Sequence, residues 1–121
     1  MNEVIIDSIR VGLRHYRRVV VLKEKDAERF LPIWIGADVA DSIAFRLQDV
    51  SSPRPLTHDL LMNMIDSLGG IIKSVVINDL REDTFYALIN IEKDNEIIEV
   101  DARSSDAIAM AVRASVPIYV A

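Results

Sequence analysis

From residue 71 to residue 100 the chain carries three apolar runs separated only by the short polar stretches Arg81-Glu82-Asp83 and Lys93-Asp94-Asn95-Glu96. No helix fits in such a connection, and a parallel crossover needs about a dozen residues or more. The runs Ile71 to Leu80, Thr84 to Ile91 and Ile97 to Val100 are therefore expected to pair as an antiparallel meander.

The N-terminal part repeats this arrangement. Residues 3 to 13 read as a strand with Ile5, Ile9, Val11 and Leu13 on one parity, interrupted by Asp7, and Val4 and Ile6 on the other. Arg17 to Glu24 is a second strand built on Val19-Val20-Val21-Leu22. The turn Lys25-Asp26-Ala27-Glu28 leads to a third, Phe30 to Ile35. Pro32 lacks an N–H, so that third strand is expected at an edge or a bulge.

Three stretches have helical spacing. Ala37 to Asp49 places Val39, Ala40, Ile43, Ala44 and Leu47 on one face, with Phe45 opposite, near Asp38, Asp41 and Asp49. A Phe there is expected to be covered by a loop or by a second subunit. Ser51-Ser52-Pro53-Arg54-Pro55 is a rigid loop that stops the first helix. Thr57 reads as the N-cap of the second, with Asp59 in its first turn. Leu60, Leu61, Met64, Ile65 and Leu68 form its expected buried stripe, and Gly69-Gly70 its stop. Ser104 reads as the N-cap of the third helix, Ser105 to Ala114. That helix is apolar nearly all round and so is expected to be buried on more than one side. Pro117 to Val120 is a last short strand.

The order is thus βββ-αα-βββ-α-β, which predicts an α/β protein of the α+β type: one domain over residues 1–121, with a mixed, mainly antiparallel sheet and helices packed on it. With no cysteine, no disulfide is possible, which fits a reducing cytoplasm. Met1-Asn2-Glu3-Val4 has no basic or apolar leader character, and no apolar run reaches the ~20 residues of a membrane span, so a cytoplasmic location without membrane contact is expected. Fourteen basic against 19 acidic residues leave a net charge of −5. Such a balance argues against a plain nucleic-acid-binding module, whose affinity comes largely from neutralising phosphate. A chain of this charge that acts on a phosphate-bearing substrate is expected to draw local positive charge from a divalent metal.

Polar chemistry concentrates at helix openings. His15 reads as a surface turn residue. His58 instead lies within Arg54-Pro55-Leu56-Thr57-His58-Asp59, and a second cluster is Asp101-Ala102-Arg103-Ser104-Ser105-Asp106. Helix N-termini favour anions, and Arg54 and Arg103 suit phosphate as bidentate donors. The same residues have ordinary structural uses: Thr57 and Ser104 as caps, Asp59 and Asp106 as first-turn acids, Arg54 and Arg103 as loop-fixing partners of Asp101 and Asp106. Spacing alone matches no metal, Walker or GxSxG motif.

The two clusters resemble the signature segments of the bifunctional nuclease domain family. Leu31-Pro32-Ile33-Trp34-Ile35-Gly36, Thr84-Phe85-Tyr86-Ala87 and Pro117-Ile118-Tyr119 are similar to further segments of it, in the same order, over about residues 3 to 120. Val39 stands where the family commonly has Glu, and Ser104 where it commonly has Pro. The resemblance implies an α/β fold, a homodimer, and cleavage of RNA and DNA. On that basis Asp59, Asp101 and Asp106 are expected to gather around Mg²⁺ or Mn²⁺. Arg54 and Arg103, with Thr57 and Ser105, would bind phosphate, and His58 would serve as general base or acid. Two other readings compete: a non-catalytic module that recognises a phosphate-bearing ligand or a protein partner, and a set of internal struts. Burial of these residues separates them.

Overall fold

The computed structural model describes residues 1–11 and 18–121. The expected hairpin apex with His15 lies outside the described residues. The observed order is β1 (Asn2–Val11), β2 (Arg18–Glu24), β3 (Phe30–Ile35), α1 (Ala37–Leu47), α2 (Thr57–Ser67), β4 (Ile71–Arg81), β5 (Thr84–Lys93), β6 (Glu96–Arg103), α3 (Ser104–Ala114) and β7 (Ile118–Val120), the order read from the sequence.

The strands form one seven-stranded sheet, β3-β2-β1-β7-β4-β5-β6. The two meanders meet at β7, which runs antiparallel to β1 and parallel to β4. β3 is an edge strand, where Pro32 is tolerated. The β4–β5 and β5–β6 hairpins turn through Glu82-Asp83 and Asp94-Asn95, all four at positive φ. Paired positive φ is the geometry of a two-residue type I′ turn, whose twist matches that of the flanking strands.

The core lies between sheet and helices. Ala107, Ile108, Ala109, Met110 and Ala111 are all buried, because α3 packs on β4 and β5 on one side and on α1 and α2 on the other. Val20, Leu22, Ile33, Ile43 and Val75 complete the centre. The described helices contain none long and apolar enough to cross a membrane.

The second helix departs from expectation. Leu60, Leu61, Met64 and Leu68 are 41–71% exposed rather than buried. α2 packs mainly on α3, with Met62 and Ile65 half-buried against the core, so its other apolar residues face outward. Its stop is as read: Gly69 has φ +86°, and Gly70 donates its N–H to the Ile65 carbonyl. The caps are each one residue earlier than expected. Leu56 caps α2 and Arg103 caps α3, neither by a side-chain bond, so Thr57 and Ser104 are first-turn residues. β6 also runs on past Val100 through Asp101-Ala102-Arg103, which pair with Leu88, Ala87 and Tyr86.

Candidate active site

Three helices bring the site together. α1 contributes Ser42, α2 opens with His58, and α3 opens with Asp106. Ser42 and His58 are 7% and 6% exposed. Ser42 Oγ lies 2.9 Å from His58 Nδ1, and His58 Nε2 lies 3.0 Å from Asp106 Oδ1. The second carboxylate oxygen of Asp106 accepts from Arg103 Nε at 2.7 Å. Each contact crosses elements or a helix start, so only the folded chain assembles the chain Ser42–His58–Asp106–Arg103.

Charge follows from these bonds. Burial acts to raise Asp106, but hydrogen bonds from Arg103 and His58 and the Arg103 charge outweigh it, holding the carboxyl below its ordinary value. Asp106 is therefore a carboxylate at neutral pH and can only accept, so His58 Nε2 carries a proton and faces it. In the neutral ring Nδ1 accepts from the Ser42 hydroxyl; in the imidazolium it donates to it. Arg103 is raised above its usual value by its bond to Asp106 first, and also by the charges of Asp106 and Asp38.

These residues open onto a cleft of about 470 Å³, whose wall also includes Asp38, Asp41, Phe45, Thr57 and Leu61. Phe45, expected under a loop or another subunit, is part of this wall, on the helix face it shares with Asp38 and Ser42. Val39 is buried there, so that position supplies no carboxylate.

The remaining candidates lie elsewhere. Both Asp59 oxygens are engaged: Oδ1 accepts from Arg113 Nε at 2.7 Å and Oδ2 from the Leu56 N–H at 3.0 Å. Asp59 thus ties α2 to α3 and caps its own helix. Asp101 is exposed on β6, Arg54 is exposed in the loop before α2, and Ser105 lines a neighbouring cleft. The expected three-carboxylate metal set of Asp59, Asp101 and Asp106 is not assembled. Among the described residues no three His, Cys, Asp or Glu side chains stand together as an ion site. Mg²⁺ or Mn²⁺ needs several oxygen donors converging on one point, and the Asp59 oxygens are instead held by Arg113 and the Leu56 N–H.

The sequence reading missed Ser42 and Arg113. Ser42 follows Asp38 at i+4 and precedes Phe45 at i+3, so the helical period put it on the cleft face. Arg113 sits in the last turn of α3, after the apolar run Ala107 to Val112. A cation at a position only 9% exposed demands a partner.

The fold and site together define a class: an α+β domain in which the openings of two helices and the middle of a third converge on a buried histidine backed by serine and fronted by a carboxylate–guanidinium pair. The bifunctional nuclease domain model matches residues 20–121, and the chain belongs to that family. An uncharacterized protein of Mycobacterium tuberculosis is 47% identical over 120 residues, covering 99% of this chain and 71% of that protein. Bifunctional nuclease 1 of Oryza sativa subsp. japonica is 30% identical, and bifunctional nuclease 2 of the same plant 32% identical, each over 105 residues and 84% of this chain. The chain spans about a third (32%) of the length of each of these two plant proteins.

Proposed function

We propose that the domain hydrolyses phosphodiester bonds of RNA, DNA or both in the cleft lined by Asp106 and Arg103. The observation that carries this reading is the pairing of an ionised carboxylate with a guanidinium at an open cleft, with a buried imidazole bonded behind the carboxylate. Membership of the nuclease family supports the substrate class. Arg103 bonds Asp106 through Nε, and a phosphate seated in the cleft accepts from its terminal amino groups. A water beside Asp106 attacks the phosphorus and gives its proton to that carboxylate, while the P–O bond to the leaving oxygen breaks and that oxygen takes a proton from solvent water. His58 is a positioning residue: its Nε2–H holds Asp106 in place. Thr57 lies on the same wall, at the N-terminal end of α2, where the helix dipole favours an anion.

Among the described residues no donor set for a metal stands ready at the cleft. The cleft wall carries three carboxylates, Asp38, Asp41 and Asp106, against Arg103, so an added divalent ion would still favour binding of an anion there. The test is cleavage of a labelled single strand by wild-type and Asp106→Asn protein, with and without Mg²⁺.

A second reading, a non-catalytic module for a phosphate-bearing ligand or a protein partner, is favoured by one observation: both ring nitrogens of His58 are engaged. It predicts binding without turnover in the same assay.

We also propose that the domain is a homo-oligomer, assembling through α2 rather than through Phe45. Leu60, Met64 and Leu68 repeat at i, i+4 and i+8 and leave a continuous outward apolar stripe, the kind of surface that marks an interface.

A further inference from the structure

Arg103 lines two clefts. The second, about 400 Å³, lies beside the one described above. Ser104 and Ser105 form its α3 wall, and Asp83 and Phe85 belong to its β4–β5 side. The two serines are 6% and 8% exposed. Buried hydroxyls are ordinarily bonded, yet neither of these has a hydrogen-bond partner among the described residues. The only side-chain atom among those residues that is both unpartnered and sealed from the surface is Asn90 Oδ1, so the two serine oxygens reach the cleft. The backbone beside them is in the same condition. The first N–H groups of a helix have no acceptor within it, and no side chain caps α3. Asp106, the acid of that first turn, is turned to His58 and Arg103 instead.

Unbonded hydroxyls, unbonded N–H groups and the positive end of a helix dipole are all met by one kind of ligand, an oxyanion. Charge permits it here. The second cleft has one guanidinium, Arg103, and one carboxylate, Asp83, whereas the first sets Asp38, Asp41 and Asp106 against the same arginine. The Arg103 side chain is 73% exposed and meets Asp106 through Nε. We propose that the opening of α3 is a second phosphate subsite: Ser104 and Ser105 hold one phosphate of a strand through their hydroxyls and N–H groups, and Arg103 stands between it and the neighbouring phosphate beside Asp106. The domain then selects substrates with two successive phosphates, and recognises a strand by its backbone rather than by its bases. The subsite itself stands on the α3 opening; its neighbour beside Asp106 rests on the phosphodiester reading.

The backbone amides of the full chain are followed by NMR during titration with inorganic phosphate. Saturable shifts of the Ser104 and Ser105 amides are expected. Affinity should fall about 10-fold or more in Ser104→Ala/Ser105→Ala, the scale of one lost hydrogen bond to a charged group. Hydroxyls without a partner hold nothing in the fold, so the same variant should keep or raise the Tm. Absent shifts, equal affinity in the variant, or a Tm lowered by the substitutions overturns the subsite. A dinucleotide joined by one phosphorothioate, which keeps its charge and resists cleavage, should bind more tightly with a terminal phosphate at one of its ends than without, and lose that gain in the variant. No gain from a phosphate at either end overturns the proposal as well. Cleavage is assayed separately on a natural phosphodiester strand. A subsite that fills without cleavage stands and ends the hydrolase reading; cleavage with silent Ser104 and Ser105 amides does the reverse.

Discussion

Asp106 accepts from His58 on one carboxylate oxygen, at 3.0 Å, and from Arg103 on the other, at 2.7 Å, so one side chain joins the buried interior to the open cleft. The side chain of His58 is 7% exposed and that of Asp106 27%, so a substrate meets the carboxylate, not the ring. Asp106→Asn keeps the shape and removes the charge. Cleavage should fall about 100-fold or more, the scale of a lost proton-transfer group, while circular dichroism stays unchanged.

The ionised state of Asp106 fixes which nitrogen of His58 is protonated. Nitrogen-15 NMR of the ring should find a proton on Nε2 at neutral pH, whether the ring is neutral or charged. A ring protonated on Nδ1 alone contradicts the assignment.

Asp59 belongs to the scaffold in this account. Asp59→Ala leaves Arg113, whose side chain is only 5% exposed, without its carboxylate. The expected cost is ~2 kcal/mol, below that of a fully buried pair because the Asp59 side chain is 39% exposed. In a domain of this size that lowers Tm by roughly 5–10 °C. Cleavage per folded molecule should change less than about threefold, within the range of a remote substitution. Lost cleavage with an unchanged Tm would return Asp59 to the chemistry.

Acid should destabilise the domain through the same two carboxylates. The Arg113 hydrogen bond holds Asp59 below its ordinary value, and Arg103 and His58 do so for Asp106 against its burial. Both are depressed on folding, so their contribution is complete above the unfolded value near ~4 and is lost as pH falls from there through the lower folded values. Urea midpoints measured from pH 5 to pH 2 should fall less steeply in Asp59→Ala than in the wild type.

The apolar stripe of α2 predicts an assembly. Light scattering after size exclusion should give a mass of at least two chains for the wild type and one for Met64→Glu/Leu68→Glu, with the far-ultraviolet spectrum retained. A wild-type monomer ends that part of the account.

The element order was legible because turn length and glycine position are local: Glu82-Asp83 and Asp94-Asn95 permit only a tight hairpin, and Gly69 only a stop. β7 was legible as a strand, but its place between β1 and β4 was not, since nothing local names its neighbours. The α2 stripe failed because periodicity shows that a helix has an apolar face, not what covers it. In the site, His58, Asp106 and Arg103 were readable as polar helix openings. Their convergence was not, because it depends on how α1, α2 and α3 cross. Asp59 and Asp106 look alike in sequence, each an acid in a first turn. Arg113, 54 residues beyond Asp59, separates their roles, and only packing brings it there.

The most direct measurement is cleavage of a labelled single strand by protein purified free of host nucleases, with wild type and Asp106→Asn compared in Mg²⁺ and in chelator. Cleavage by the wild type and its loss in Asp106→Asn is the predicted result. Equal cleavage by the two proteins, or none by either, contradicts it.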